Sequence, residues 1–239
     1  MTENRLPAWR QYQEEAANVF RQLGLSAETD VRLGGVRDVH DIDVVVRFER
    51  SGLSHLWIVE CKDHRRPVSK GQVHLLRSIV GDVGADKGIL LCEAGFQSGA
   101  YRSTSQTNVT TTSLAELRQS AADEIFDLAL DDLVDRVKAA MRRIDELSIS
   151  KRYARGGSSR LPQTPSIWSQ GDAIGLLGHL SLLEFGLGQA RERRFPAAFD
   201  FADDGSRMSS ERDHFLECGA RALQRFERVV EGLEPAKEV

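Results

Sequence analysis

The chain has 239 residues, of which 41% are hydrophobic and 28% are charged, and its formal net charge at pH 7 is −4. These values are ordinary for a globular protein that buries a sizeable core, and the negative charge argues against a nucleic-acid binder that relies on a global positive field. The cysteines Cys61, Cys92 and Cys218 fit a reducing compartment and form neither a disulfide framework nor a zinc-ligand spacing. The polar N-terminus and the shortness of the most apolar stretch, 173–187, predict a cytoplasmic protein without a membrane span.

The predicted elements of the first half alternate between helices and strands. Apolar residues at helical spacing predict an amphipathic first helix over 8–23, which Gly24 ends. Ser69 is a suitable cap for a second helix, which ends before Gly84. The remaining elements are strands over 29–33, 42–48, 56–62, 88–92 and 108–112, a short helix over 95–106 and a helix that starts at 113. This order predicts an α/β layered domain that ends near residue 120.

The second half of the chain has a helical pattern. Acidic residues followed by basic residues match the charge preference of one long helix over 121–150. Its apolar positions from Phe126 to Leu147 alternate in steps of four and three, which makes a three-heptad seam over 126–147. The seam either packs on the core of its own chain or pairs with a second copy to form a homodimer. Beyond it we expect a linker over 154–166 and further helices to residue 233.

Two carboxylates and one amine stand on strongly strand-like segments of the first half. Asp43 lies in an apolar run, and Glu60 and Lys62 end the strand that follows, on the same strand face. Carboxylate oxygens are the ligands that Mg²⁺ prefers, and a neighbouring cation can reach a scissile phosphate or the attacking water. The pattern therefore predicts a phosphodiesterase site in which Asp43 and Glu60 bind Mg²⁺, or Mn²⁺, and Lys62 is the cationic partner. A surface charge pair is the alternative for Glu60 and Lys62, but the apolar residues before them argue against a solvated face.

Basic residues follow Lys62 within a few positions. Arg65, Arg66 and Lys70 are opposed by a single acidic residue and predict a local phosphate-binding footprint, with a solvated loop as the alternative. Gln72, one turn into the second helix, is a further candidate for a contact with a backbone phosphate. An ordinary surface glutamine also fits that position.

The order of these residues resembles an Mrr-type restriction endonuclease domain of the PD-(D/E)xK superfamily. The resemblance rests on Asp43, the segment 60–62, the helix start at 67–70 and the segments 84–91 and 95–100. It covers residues 9–120 and implies a three-layer α/β domain, with a central mixed sheet flanked by helices, that cleaves DNA with a divalent metal ion. It also implies that Asp43 and Glu60 bind the metal and that Lys62 is the catalytic lysine. Residues 121–239 would then form a mainly helical C-terminal region.

The family often adds a carboxylate from the first helix to the metal site. Glu15 is the preferred candidate, because it lies at the margin of the apolar face whereas Glu14 points almost opposite to that face. Gln13 flanks the other margin and is an alternative that would supply a neutral oxygen. Asp41 shares the strand face of Asp43, and is either an accessory acceptor or part of the preceding loop.

The leading hypothesis is a metal-dependent DNA endonuclease that serves bacterial restriction or anti-phage defence by family analogy. One alternative is an RNase or an effector nuclease that a signal activates through the C-terminal half. Another is a non-catalytic module that uses the nuclease fold to bind DNA. Intact Asp43, Glu60 and Lys62 argue against the module, since a scaffold has no need for two neighbouring buried carboxylates.

Overall fold

The computed structural model of the protein describes residues 6–62, 66–154, 173–198 and 208–233. The chain divides into two compact units, residues 1–125 and 126–239, and each is described by itself. Apart from residue 154, the predicted linker over 154–166 lies outside the described residues. None of the helices in the described ranges is long and apolar enough to cross a membrane.

The first unit alternates helices and strands in the predicted order. Its elements are α1 (Ala8–Gln22), β1 (Ser26–Gly34), β2 (Val39–Arg50), β3 (Leu53–Cys61), α2 (Lys70–Val83), β4 (Lys87–Leu91), α3 (Ser98–Thr104), β5 (Val109–Thr112) and the start of α4 (Leu114–Ala154). The sheet order is β1-β2-β3-β4-β5; β1 to β3 pair antiparallel, and β3 to β5 pair parallel. The sheet is mixed, which confirms the predicted α/β architecture.

Helices cover both faces of this sheet. One core contains Phe20 of α1, Val44 of β2 and Leu114 of α4, whereas the other contains Val45 of β2 and Val73 of α2. The first helix and the start of α4 therefore pack on one face, and α2 and α3 pack on the other, which makes three layers. Because both faces are covered, the central strands read as nearly continuous apolar runs.

The alternation of β2 breaks next to Asp43. Ile42 packs on the α2 side of the sheet and Val44 on the α1 side, although strict alternation would place both on one face. The strand register leaves Asp30 of β1 opposite Asp43, and Asp30 has a positive φ of 59°, which aspartate tolerates better than most residues. This local irregularity lets Asp43 face α1, in the way that breaks in a ladder next to functional sites re-aim a side chain.

The second unit is mainly helical. It contains most of α4, α5 (Ala173–Arg191), the short strands β6 (Ala197–Ala198) and β7 (Met208–Ser209), and α6 (Arg212–Leu233). The helix α4 is a single element of 41 residues, so the predicted helix from 113 and the predicted long helix over 121–150 are one continuous helix. The additional strands pair with each other in a two-stranded sheet.

The apolar seam of α4 packs within its own unit. Its residues Phe126, Leu133 and Val137 are buried together with Leu183 of α5 and Phe226 of α6. The first of the two interpretations of the seam therefore describes this protein. The homodimer that we considered for the 126–147 seam finds no support, since the seam side chains in this core are covered by α5 and α6 of the same chain.

A buried carboxylate ties the β1–β2 turn to the end of α2. Asp82 accepts hydrogen bonds from Nε and the backbone N–H of Arg37, at 2.8 and 3.1 Å, and from the N–H of Asp38 at 3.3 Å. Nε2 of His40 lies 2.8 Å from the same carboxylate. A Cβ added at Gly35 would lie 2.2 Å from it, so this close approach requires glycine. The contacts with Arg37 and then His40 hold the pKa of Asp82 well below its usual range.

We expect Asp82→Asn to lower the melting temperature at pH 7. Because the pKa of Asp82 is lower in the folded state, its stabilising effect is present above the unfolded-state pKa, about 3.9, and is lost as the pH falls through the folded-state value. The difference between the variant and the parent should therefore shrink as the pH falls below about 4. Thermal unfolding followed by circular dichroism across this range tests it, with Asp38→Asn in the exposed turn as the matched control. A difference that stays constant with pH would contradict the electrostatic explanation.

Candidate active site

The Asp43 side chain is fixed where β2, β3 and α1 meet. Its carboxylate accepts a hydrogen bond from the backbone N–H of Cys61 at 2.7 Å and another from Nε2 of Gln13 at 2.7 Å. The pairing of β2 with β3 ends at Val44 and Val59, so the carboxylate stands in for a strand carbonyl as the next acceptor for β3. Asp43 is thus held in one orientation from two sides.

Glu60 and Lys62 come from the end of β3. Glu60 lies beside Leu90 of the parallel strand β4, and the backbone N–H of Lys62 donates to the carbonyl of Leu91 at 2.8 Å. The Lys62 ammonium forms an ion pair with Oε1 of Glu60, and each of the two side chains is 23% exposed. The structure therefore brings Asp43, Glu60 and Lys62 together at one end of the sheet, and leaves the lysine accessible to a substrate.

The two carboxylates of the site interact electrostatically. Burial raises the pKa of Asp43 above its usual value, and the charge of Glu60 raises it further. The hydrogen bond from Cys61, the charge of Lys62 and the hydrogen bond from Gln13 act in the opposite direction without offsetting burial. A cation bound between the carboxylates would favour their charged forms, since an opposite charge stabilises an ionised carboxylate.

The thiol of Cys61 does not take part in this charge balance. It is a free cysteine, and burial followed by the charges of Asp43 and Glu60 raises its pKa far above the usual range. The thiolate is the form that attacks an electrophile or binds a metal. Cys61 therefore contributes its backbone N–H to the site, and its side chain stays protonated.

Gln13 occupies the helix position of the site. Its side chain is 5% exposed, and its Oε1 has no hydrogen-bond partner among the described residues. Glu15, which the sequence favours, instead pairs with Arg118 of α4 at 2.9 Å. Glu14 accepts a hydrogen bond from Thr29 of β1. Glu15 thus pairs with a residue 103 positions away in the chain, which the helical pattern of α1 cannot reveal, and its role in the metal site stays a prediction.

The oxygens of this site fit a hard divalent cation. Asp43 and Glu60 offer carboxylate oxygens, and Gln13 adds a buried amide oxygen that lacks a donor within the described ranges. Mg²⁺ takes one or two protein carboxylates and fills its remaining positions with water and phosphate oxygens. Among the described residues, no three His, Cys, Asp or Glu side chains form a cluster that could hold a metal ion; the oxygens present at this site are those of the two carboxylates and of the Gln13 amide.

The predicted phosphate-binding residues have three different outcomes. Arg65 lies outside the described residues. Arg66 and Lys70 are exposed and remain available to an anion. Gln72 is engaged in the cap of α2, because its Oε1 accepts a hydrogen bond from the backbone N–H of Ser69 at 2.9 Å in a capping box. The sequence predicted Ser69 as the cap but did not connect Gln72 to it.

A tyrosine and a glutamate border the site without having been singled out in the sequence. The hydroxyl of Tyr12 donates to Oε1 of Glu93 at 2.9 Å, and the backbone N–H of Leu114 donates to the same oxygen at 2.7 Å. Burial, and then the contact with Glu93, raise the pKa of Tyr12. The pair ties α1 to the segments after β4 and β5 and so positions Gln13. Tyr12 belongs to the apolar face of its helix. The hydrophobic pattern of the sequence therefore explains its position without indicating a role for its hydroxyl.

Comparison with known proteins places the first unit in a known class. Residues 7–121 match the family model Mrr_cat, described as a restriction endonuclease. Among solved structures, the chain is similar to a protein of unknown function, AF1548, with 20% identity, a TM-score of 0.37 and coverage of 46% of this chain and 66% of that chain. It is also similar to the DNA modification-dependent restriction endonuclease AspBHI, with 17% identity, a TM-score of 0.32 and coverage of 48% and 33%. The chain spans about two thirds of the first protein and one third of the second. No curated protein matches it.

Proposed function

From the premise that residues 7–121 belong to the Mrr-type restriction endonuclease family, we propose that this protein hydrolyses phosphodiester bonds in DNA with the help of a divalent metal ion, Mg²⁺ or Mn²⁺. The observation that carries the proposal is the meeting of Asp43, Glu60 and Lys62 at one end of the sheet. By the same family analogy we propose a cytoplasmic protein of bacterial restriction or anti-phage defence. We assign catalysis to residues 9–120 and control of it to residues 121–239.

Asp43 and Glu60 are the proposed metal ligands. Their carboxylates interact strongly enough for Glu60 to raise the pKa of Asp43, which is the arrangement that a shared cation relieves. Bound Mg²⁺ supplies a Lewis acid that offsets the charge developing on the phosphate during hydrolysis. Gln13 holds the Asp43 carboxylate through its 2.7 Å hydrogen bond, and the Cys61 N–H holds it from the other side. The Asp43 carboxylate is thus already oriented, and it needs to move little when the metal ion binds.

Lys62 is the proposed catalytic lysine. Its ammonium is partly exposed and already pairs with a carboxylate, so it lies where an anionic phosphate would arrive. An ammonium carries three donors and no acceptor, and can hydrogen-bond a phosphoryl oxygen or orient the attacking water. We propose that it stabilises the transition state through this charge.

The metal requirement and the substrate class can be tested together. We expect the purified chain to nick supercoiled plasmid DNA in the presence of Mg²⁺ or Mn²⁺, to stop when EDTA is added, and to recover when the metal is restored in excess. A single-stranded RNA and an RNA duplex of matched length serve as parallel substrates. Cleavage that persists in EDTA would contradict the metal requirement, and cleavage of RNA alone would assign the site to an RNase.

We expect Gln13→Ala to lower the rate of plasmid cleavage by roughly tenfold to a hundredfold, because a small misplacement of a catalytic group has effects of that size. The change removes the donor that orients Asp43, whereas Glu15→Ala removes an exposed ion pair with Arg118 and an exposed hydrogen bond from Gln11. Initial rates at saturating Mg²⁺ compare the two variants. If Glu15→Ala is the more damaging change, Glu15 and not Gln13 serves the site.

A further inference from the structure

The helices α2 and α3 enclose a basic groove. A cavity of about 340 Å³ lies between them. Its lining consists of Lys70, His74, Arg77, Gly99, Arg102, Ser103, Ser105 and Thr107, and we refer to it as the α2–α3 groove.

The basic side chains of α2 form a stripe along one side of this groove. Lys70, His74 and Arg77 follow one another at i, i+4 and i+7, so they share one helix face. That face is distinct from the buried face, to which Val73 and Leu76 belong. At about 1.5 Å per residue the stripe extends over roughly 10 Å, which exceeds the size of a single phosphate group.

The charges of the α2–α3 groove are not compensated within the described part of the chain. None of Lys70, His74, Arg77 and Arg102 has an ion-pair or hydrogen-bond partner among the described residues. Other arginines of the same unit do have carboxylate partners; they are Arg10, Arg21, Arg32, Arg37, Arg47 and Arg118. The contrast points to an anionic ligand, since converging like charges repel one another unless an opposite charge is supplied.

The helices that form the groove also lack accessible carboxylates. The helix α3 has no acidic residue, and α2 has one, Asp82. The Asp82 carboxylate is buried and bonded to Arg37 and His40, so it is already engaged. No accessible carboxylate of α2 or α3 therefore offsets the basic side chains of the groove, although the whole chain carries a net negative charge.

The groove starts at the same edge of the sheet as the candidate active site. The parallel strands β3 and β4 end side by side at Cys61 and Leu91, and the segments after them lead to α2 and α3. Ile58, which shares the strand face of Glu60, belongs to the core beneath α2. Alternation therefore directs Glu60 toward the face of the sheet that α2 and α3 cover, whereas Asp43 of the neighbouring strand faces α1.

The two helices are tied together where they begin. The N–H of Val68 donates to the carbonyl of Gly95 at 3.0 Å, and the N–H of Gln97 donates to the carbonyl of Val68 at 3.0 Å. These bonds hold the segments that enter α2 and α3 in one arrangement before any ligand arrives. A preformed groove avoids part of the entropic cost of ordering its side chains on binding.

We propose that the α2–α3 groove binds the phosphate backbone of a DNA duplex next to the site that cuts it. The inference rests on the proposed nuclease function and adds Arg77, His74 and Arg102 to the residues that contact substrate. A backbone fits the groove better than a single small anion, because the basic side chains are spread along two turns of α2, and Lys70 starts this helix, which follows β3 in the chain. Contacts of this kind fix the position of a duplex without reading its sequence.

Duplex binding at several salt concentrations tests the proposal independently of cleavage. A fluorescent duplex is titrated with the full chain in EDTA, and fluorescence anisotropy gives the affinity at each concentration. Arg77→Ala and Arg102→Ala should each weaken binding roughly threefold to tenfold and reduce the slope of log K against log salt by about 1. The double variant should reduce the slope by about 2. Arg77→Lys keeps the charge and should retain the parent slope.

Arg50 provides a matched control. It is exposed at the far end of β2, away from the edge that carries the site, and its side chain forms no ion pair with a described residue. Arg50→Ala should leave both affinity and slope unchanged, and melting curves of all variants report whether they fold. If the double variant Arg77→Ala/Arg102→Ala binds DNA with the same affinity and salt slope as Arg50→Ala, the proposal that the groove binds DNA is wrong. The proposal is also wrong if a variant no longer binds inorganic phosphate in calorimetry but keeps the parent's slope of log K against log salt for the duplex. The groove would then be a site for a small anion.

Different results would contradict the proposal that the groove binds DNA and the proposal that the protein is a nuclease. A parent protein that binds the duplex with the expected slope but cuts nothing in Mg²⁺ or Mn²⁺ contradicts the nuclease proposal and leaves the groove intact. A parent protein that cuts, and whose Arg77→Ala and Arg102→Ala variants bind and cut as it does, contradicts the groove alone.

Discussion

Lys62→Met should reduce DNA cleavage by roughly 10²- to 10⁴-fold, the size of effect expected when a positioned acid–base or electrostatic group is removed. Methionine keeps an unbranched stem of similar length, so packing around the end of β3 should change little. The ammonium that meets the phosphate is lost, whereas Asp43 and Glu60 stay in place. The variant should therefore still bind Mg²⁺, which a metal-induced rise in melting temperature would report.

The control for Lys62 is Lys87→Met. Lys87 begins β4 and pairs in the ladder with Trp57 in the middle of β3, so it lies away from the strand ends at Cys61 and Leu91 that carry the site. Cleavage by that variant should match the parent. If Lys62→Met cleaves at the parent rate, the assignment of Lys62 as the catalytic lysine is wrong. If it loses Mg²⁺ binding as well as cleavage, its role is to support the metal site.

Asp43→Asn should abolish both Mg²⁺ binding and cleavage, with a fall in rate of at least roughly 10³-fold. An amide offers one neutral oxygen where the carboxylate offers two charged ones, and Mg²⁺ selects charged oxygens. The free protein should not be destabilised at pH 7, because burial and Glu60 already disfavour the charge of Asp43. The folded-state pKa of Asp43 is raised, so its ionisation opposes folding increasingly as the pH rises through that value. The stability of Asp43→Asn relative to the parent should therefore increase from acid to neutral pH.

Asp41→Asn is the matched control for this change. Asp41 stands two positions away on the same strand, but its side chain is 90% exposed and lies 3.6 Å from Arg32 in a surface ion pair. Cleavage and Mg²⁺ binding by that variant should stay within about twofold of the parent, since exposed ion pairs contribute little. Isothermal titration calorimetry with Mg²⁺ and plasmid nicking compare the two. An Asp43→Asn variant that binds Mg²⁺ with the parent affinity would remove Asp43 from the metal site.

The variants separate binding from chemistry. Lys62→Met is expected to keep the metal and lose the reaction, and Asp43→Asn is expected to lose both. The groove variants are expected to lose affinity for DNA while keeping the metal. If all three kinds of variant lost the same properties together, misfolding would explain the results better than the roles assigned here, and melting curves would show it.

The sheet of the first unit was predictable because its strands are long apolar runs. Segments such as 42–48 and 56–62 are strand-like over their whole length, and Gly24 and Gly84 mark the helix ends with positive φ angles of 76° and 67°. The order of elements then restricts the topology to a few arrangements. The predicted fold class, a mixed sheet covered by helices on both faces, is confirmed. The shifts at element ends are of one to three residues, since pairing with neighbours extends strands beyond their most apolar part.

The details of the site were less predictable because they depend on contacts between distant segments. Helical geometry left Gln13 and Glu15 at opposite margins of one face, and it could not say which margin met the sheet. Arg118 engages Glu15, and the irregularity of β2 turns Asp43 toward Gln13. Local patterns could reveal neither fact. Gln72 shows the same limit at short range, since its position in the sequence fits both a capping contact with Ser69 and a free surface glutamine.

Residue types and their spacing were sufficient to predict the fold class and to select the candidates Asp43, Glu60 and Lys62, because local hydrophobic periodicity and strand alternation are properties of neighbouring residues. Folding was needed to bring Gln13 to Asp43, to cover the seam residues from Phe126 to Ile144 with α5 and α6, and to set Arg102 beside Lys70, His74 and Arg77. Each of these contacts joins residues far apart in the chain, and their partners follow from how helices pack on the sheet and on one another. Charge followed the same division: the sequence shows a net charge of −4, and the fold gathers into one groove basic side chains that have no carboxylate partner in the described part of the chain.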